Sequence, residues 1–211
     1  MDMTKKLIIA LLALAPISLW AQDNSWENED EDDVKTETVK VSKQKVDAKY
    51  LRGAVPVVDG HVVFSKTIEA PGKTADQIYD IMLKYMERLT KASNQLNSQV
   101  VVNDKEKHEV AGSYEEWLVF KKTALALDRT RMYYILHAQC ADGKAEITMR
   151  RIHYLYEEER APERFKAEEW ITDKEAVNKK NTNLTPMSGK FRRKTIDRKD
   201  FLFNKFEALL K

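Results

Sequence analysis

Between Arg131 and Tyr156, apolar and polar residues alternate along two long runs, RMYYILHAQC and KAEITMRRIHYLY, joined by Ala141-Asp142-Gly143. Alternation with a period of two marks strands that bury one face. Asp-Gly between two such runs predicts a type I′ hairpin turn, with positive φ at both central residues. With Asp142 and Gly143 at the turn, Cys140 faces Ala145, Ala138 faces Ile147 and Leu136 faces Met149, so one face of the pair is apolar. The reverse face begins with Gln139 opposite Glu146 and His137 opposite Thr148. Farther from the turn the apolar positions change phase, from Ala145, Ile147 and Met149 to Ile152, Tyr154 and Tyr156. A β-bulge at Arg150-Arg151 restores the apolar face by setting Ile152 opposite Tyr134 and Tyr154 opposite Met132.

The same reading extends to either side. A second Asp-Gly turn at Asp59-Gly60 precedes a strand with Val62, Phe64 and Ile68 in phase, and Pro71-Gly72 then turns the chain. Thr74-Ala75-Asp76-Gln77 fits a capping box, and the helix behind it carries Ile78, Met82, Tyr85 and Leu89 as one apolar stripe. Gln99 to Asn103 and Lys107 to Ser113 predict a hairpin, and Glu116 to Lys121 a further strand. The hidden face of the sheet, Tyr134, Leu136, Ile147, Met149 and Ile152, would pack on the helix stripe. After the charged turn Glu157-Arg160, Thr172-Asp173-Lys174-Glu175 predicts a capped helix to about Lys180. Asp197 then caps a last helix, with Ile196 and Phe201 as a hydrophobic staple and Phe201, Leu202, Phe206, Leu209 and Leu210 as a face to bury. The fold class is α+β: an antiparallel sheet of about five or six strands against an amphipathic helix, with two further helices at the C-terminus.

Composition adds an address. Met1 to Ala21 has a basic start at Lys5 and Lys6, an apolar run from Leu7 to Ala15 and Pro16 ahead of Ala21, the pattern of a cleaved signal peptide. The run is too short to span a bilayer. Residues 22–53, with Asp23, Glu27, Glu29, Asp30, Glu31, Asp32 and Asp33, read as an acidic, mostly disordered spacer, and Val39 and Val41 alternate only weakly. The core domain then spans 54–156, and 157–211 forms a helical extension docked on it. The formal charge of +2 names no partner. The lone Cys140 excludes an intrachain disulfide and a lipid anchor on an N-terminal cysteine; on the apolar hairpin face it reads as a small core residue.

Little here reads as chemistry. His137 and His153 stand roughly 13 Å apart along the hairpin, too far to share one metal ion. No zinc-protease, nucleophile-elbow, phosphate-loop or paired-cysteine motif occurs, so no catalytic residue, metal site or cofactor is expected. Glu115-Glu116 and Glu157 to Glu159 read as solvated charges. Two features stand out. The reverse face of the hairpin gathers Arg131, Tyr133, His137, Arg150 and His153, a mixture suited to an anionic or sugar-like ligand unless the C-terminal helix covers it. A basic run, Lys179, Lys180, Lys190, Arg192, Arg193, Lys194, Arg198 and Lys199, suits an anionic lipid or polysaccharide surface, or else forms a solvated helix face.

The stretches DGHVVFSKTIEAPGKTADQIYD, LALDRTRMYY, EEWITDKEAVNKK and GKFRRKTIDRKD resemble an exported domain family of unknown function from Bacteroidota, described as having a TBP-like (TATA-box-binding-protein-like) fold. The resemblance covers Ala54 to about Tyr156 most firmly and continues through Leu210 as in extended members. It implies an antiparallel sheet flanked by helices and carries over no activity, cofactor or catalytic residue. The fold name refers to a DNA-binding protein, but fold does not carry function. An exported chain of this kind is expected to be a non-catalytic module that binds an envelope protein, a polysaccharide or an anionic lipid surface, with no nucleic acid as partner. The alternative is a carrier of a small apolar ligand, which needs a cavity of about 300 Å³ or more between helix and sheet; an enzyme comes third and would need convergent polar side chains in a cleft.

Overall fold

A computed structural model of the chain describes residues 46–123 and 126–211. The leader Met1 to Ala21, the acidic stretch Asp23 to Asp33 and the alternation at Val39 and Val41 lie outside the described residues. The strands are β1 (Val57–Val58), β2 (His61–Glu69), β3 (Gln99–Asp104), β4 (Glu109–Lys122), β5 (Leu127–Ala141), β6 (Lys144–Tyr156) and β7 (Glu163–Lys166). They form one antiparallel seven-stranded sheet in the order β1-β2-β6-β5-β4-β3, with β7 also on β6.

The β5–β6 hairpin has the expected register: Cys140 pairs with Ala145, Ala138 with Ile147 and Leu136 with Met149. Its turn differs in kind. Gly143 alone takes positive φ (75°), whereas Asp59 and Gly60 both do (50° and 79°), so the I′ conformation is found at the β1–β2 hairpin and not at the β5–β6 hairpin. Asp142 is committed elsewhere, its Oδ1 accepting from the Ala75 amide at 2.7 Å, where a helix begins. The bulge is present: Tyr133 pairs with His153 and Ile135 with Arg150, and Arg151 has φ 56°. It also divides β6 between two neighbours. Residues 144–150 pair with β2 and residues 153–156 with β7.

Helix α1 (Ala75–Leu89) begins with the expected reciprocal cap between Thr74 and Gln77, and Ile78, Met82, Tyr85 and Leu89 are buried on the sheet. Lys107 to Ser113 and Glu116 to Lys121, expected as separate strands, fall on the single strand β4, except that Lys107 and His108 belong to the turn before it. Opposite it, β5 runs 15 residues and keeps both parts paired.

The C-terminal region departs furthest from expectation. Two short helices, α2 (Ala167–Trp170) and α3 (Asp173–Ala176), precede a long one, α4 (Pro186–Leu210). Thr172 makes no side-chain cap, and Asp173 instead accepts from Arg192 and from the Gly53 amide. Asp197 is not a cap. Helix α4 starts twelve residues earlier, with Thr185 as its cap and Pro186 as its first residue, where proline costs nothing because the first amides of a helix lack partners. Asp197 sits mid-helix and accepts from Lys49 and the Tyr50 hydroxyl. Of the face expected to bury, Leu209 is 37% exposed, while Phe201, Leu202, Phe206 and Leu210 are buried.

Helix α4 packs beside α1 on the same side of the sheet. Phe206 meets Tyr85 edge-on with ring centroids 4.9 Å apart, and Thr195 bonds the Tyr154 hydroxyl at 2.7 Å. Phe191 is enclosed by Phe120, Tyr154, Tyr156, Phe165 and Trp170, with centroids 4.6 to 6.0 Å from its own. A side chain buried in this way stabilises the fold by about 1.5 to 3 kcal/mol. The last eight residues of the expected spacer belong to the domain: a 3₁₀ turn, Ala48–Tyr50, leads into buried Tyr50 and Leu51, whose carbonyls accept from Arg192. Among the described residues, no helix is long and apolar enough to cross a membrane.

Candidate functional site

Side chains alternate between the faces of a strand, so a sheet with both helices on one side leaves its other side to solvent. That open side carries the odd-numbered residues of β4 and β5 and, beyond the bulge, of β6. They lie in rows. Lys166, His153, Tyr133 and Glu115 are successive cross-strand partners from β7 to β4, and so are Arg164, Leu155, Arg131 and Trp117.

The residues expected to form a site share this face but do not converge on one point. Tyr133 and His153 stack in parallel, centroids 4.6 Å apart with 2° between the planes, and burial raises the pKa of the Tyr133 hydroxyl. Arg131 donates Nη1 to Glu115 at 2.8 Å and Nη2 to Glu158 at 2.6 Å. Burial alone would lower its pKa, but these carboxylates outweigh burial and hold the guanidinium above its ordinary value. His137 lies two rows away, 2.8 Å from a Glu109 oxygen, and Arg150 is exposed beside the bulge.

Sequence reasoning missed the other half of the face. Trp117, Arg129, Leu155 and the turn Glu157 to Arg160 line a cleft of about 620 Å³, within the range of ligand pockets. The guanidinium carbon of Arg129 lies over the Trp117 indole, 3.6 Å from its centroid, and Arg129 reaches Glu159 at 3.4 Å. The Nη1 of Arg129 and Nε of Arg131 are buried donors without a hydrogen-bond partner among the described residues. The available signal was the phase of Trp117: in register with Arg131 it falls on the solvent side, where an indole is unusual. The cleft lies on the face away from the helices. Between helix and sheet, the space is filled by buried side chains including Tyr79, Met82, Met86, Tyr114 and Tyr134.

The basic run is largely not a surface. Arg192 is fully buried, donating to the carbonyls of Tyr50, Leu51 and Ile171 and to Asp173. Arg198 is buried against Glu116, itself 0% exposed and therefore not the solvated charge expected. Lys190 is held by Asp128 and the Tyr156 hydroxyl, and Lys199 by Asp200. Arg193 is exposed over the Tyr50 ring, and Lys194 is half-buried. Among the described residues, no three metal-ligating side chains converge.

Residues 64–155 match the model of a domain of unknown function, DUF4468, with TBP-like fold. The chain is 44% identical to a DUF4468 family protein from Bacteroides ovatus of known crystal structure, over 79% of this chain and 96% of that one, with a TM-score of 0.73. A TBP-like protein from Parabacteroides distasonis has the same fold at 18% identity, over 74% of this chain and 96% of that one, with a TM-score of 0.59. No curated protein matches the chain. With a relative so similar over nearly its whole length, the chain belongs to the DUF4468 family.

Proposed function

We propose that this protein is an exported, non-catalytic binding module of the cell envelope, and that it recognises its partner through the open face of β4, β5 and β6. The observation that carries this reading is the placement of α4. Its buried apolar residues and both of its buried arginines are used on the same side as α1, so no helix covers Trp117, Tyr133 and His153, and Arg131 is overlain only by its carboxylate partners. A sheet face left open usually carries short polar side chains; this one carries stacked rings, paired guanidinium groups and a cleft of ligand size. The non-catalytic part rests on the absence of a catalytic motif from the sequence, and export on the leader-like segment Met1 to Ala21.

The test is retention of envelope components on the immobilised protein. Material held by the wild type and by Arg193→Glu, on the outer side of α4, but lost with Arg150→Glu/His153→Glu supports the open face. Equal retention by the sheet-face variant overturns it.

A further inference from the structure

The row Arg164, Leu155, Arg131, Trp117 crosses four adjacent strands on the open face. Strands lie about 4.8 Å apart, so the row extends roughly 14 Å from β7 to β4. It ends at the cleft on one side and at a charged edge on the other. Three properties of this strip narrow what it can hold.

The first is its rings. Trp117 lines the cleft, and the Tyr133–His153 stack lies one row away, so aromatic surface runs beside the strip from β4 to β6. Aromatic faces with polar edges suit flat ligands that have both C–H surface and hydroxyls. The second is the polar lining of the cleft. Glu157 and Arg160 have no side-chain partner among the described residues, and they offer the cleft a carboxylate acceptor and a forked donor. Hydroxyl groups need both, whereas a purely apolar ligand would leave these groups desolvated without hydrogen bonds.

The third property is charge. At the centre of the strip Arg131 is more than neutralised, by both Glu115 and Glu158. At the β7 edge compensation is slight: the exposed Arg164 has no side-chain partner among the described residues, and Lys166 meets only Glu169, at 3.8 Å with both side chains mostly exposed. The exposed Arg150 adds a further cation near His153, likewise without a side-chain partner among the described residues. A ligand lying along the strip therefore meets matched hydrogen-bonding groups at the cleft and unmatched positive charge at the edge.

The geometry points to an acidic oligosaccharide as the occupant, with hydroxyl-bearing rings over Trp117 and Leu155, hydroxyls taken by Glu157 and Arg160, and a carboxylate held by Arg164 and Lys166. This deepens the proposed function and rests on the open face being the binding surface. Recognition needs both ends of the strip: a neutral sugar leaves Arg164 and Lys166 unused, and a featureless polyanion leaves the cleft empty.

The experiment is calorimetric titration of the purified protein with an oligogalacturonate of defined length, a neutral oligosaccharide of the same length, and inorganic polyphosphate. Oligogalacturonate should bind best, and Arg164→Glu should weaken it by about tenfold or more, the loss expected for one charge-assisted hydrogen bond. Glu157→Gln should weaken both saccharides and leave any polyphosphate binding unchanged. Equal affinity for the two saccharides, no loss in Arg164→Glu, polyphosphate binding as well as oligogalacturonate, or no saccharide binding at all would each overturn the assignment. If the saccharides fail while Arg150→Glu/His153→Glu still abolishes retention of envelope material, only the ligand class falls; if that retention also survives the variant, the open-face reading falls with it.

Discussion

Arg198 donates Nε and Nη2 to the two carboxylate oxygens of Glu116, at 2.8 and 2.7 Å, with neither side chain more than 1% exposed. Asn94, in the segment after α1, donates to the same carboxylate at 2.9 Å, so one buried ion pair ties α1, β4 and α4 together. Removing one partner leaves an uncompensated charge in the core. Glu116→Ala and Arg198→Ala should each lower stability by about 3 to 5 kcal/mol, whereas Glu116→Leu/Arg198→Met should recover most of the loss. Urea unfolding measures this, and single-variant losses under about 1 kcal/mol would contradict it.

Arg192 uses its planar fork on three carbonyl oxygens and Asp173. A lysine is a point donor and cannot reach them all. Arg192→Lys should cost about 2 kcal/mol or more through unsatisfied buried acceptors. Amide exchange at residues 48–53 should accelerate ahead of exchange in β5. Unchanged protection of that segment would show that the fork does not hold it.

Arg151 carries the positive φ of the bulge, a conformation that glycine adopts without steric cost. Arg151→Gly should raise stability by up to about 1 kcal/mol, and Arg151→Val should lower it. Deleting the residue should prevent folding, because Ile152 and Tyr154 would then turn outward. Thermal unfolding of the three variants distinguishes these outcomes.

Hydrogen bonds from Lys211 and Lys66 hold the Glu207 carboxyl down to about 2, against an ordinary 4.5. A depressed carboxylate contributes its stability above the unfolded pKa and loses it as pH falls through the folded one. The stability difference between wild type and Glu207→Gln should therefore be constant above about pH 4.5 and vanish between there and about pH 2. Acid unfolding of both proteins measures the difference; a difference that persists unchanged below the window would exclude this assignment.

The β5–β6 pairing and its bulge were legible because alternation is local: a phase change at Arg150-Arg151 has one geometric remedy. The capping box at Thr74 was legible for the same reason. The turn type at Asp142 was not, since a residue far along the chain, Ala75, decides what Asp142 does. The basic run misled for a related reason. Arg192 and Arg198 look solvated in sequence, and the groups that make their burial tolerable include ones 82 to 142 positions away. The start of α4 was readable in Thr185-Pro186, yet the polar stretch behind it concealed the helical stripe. For the open face, alternation named Arg131, Tyr133 and His153 but not Trp117, because the phase of β4 is fixed only by its register with β5.

The two buried arginines of α4 also bear on the order in which the molecule can be completed. Glu116 and the carbonyls of Tyr50 and Leu51 have no counter-group until residues 186–210 have been synthesised. Until then a nascent chain closing over its core would bury a lone carboxylate, which is strongly unfavourable. Premature closure is thereby penalised, and the core closes only once α4 is at hand to supply the counter-charge.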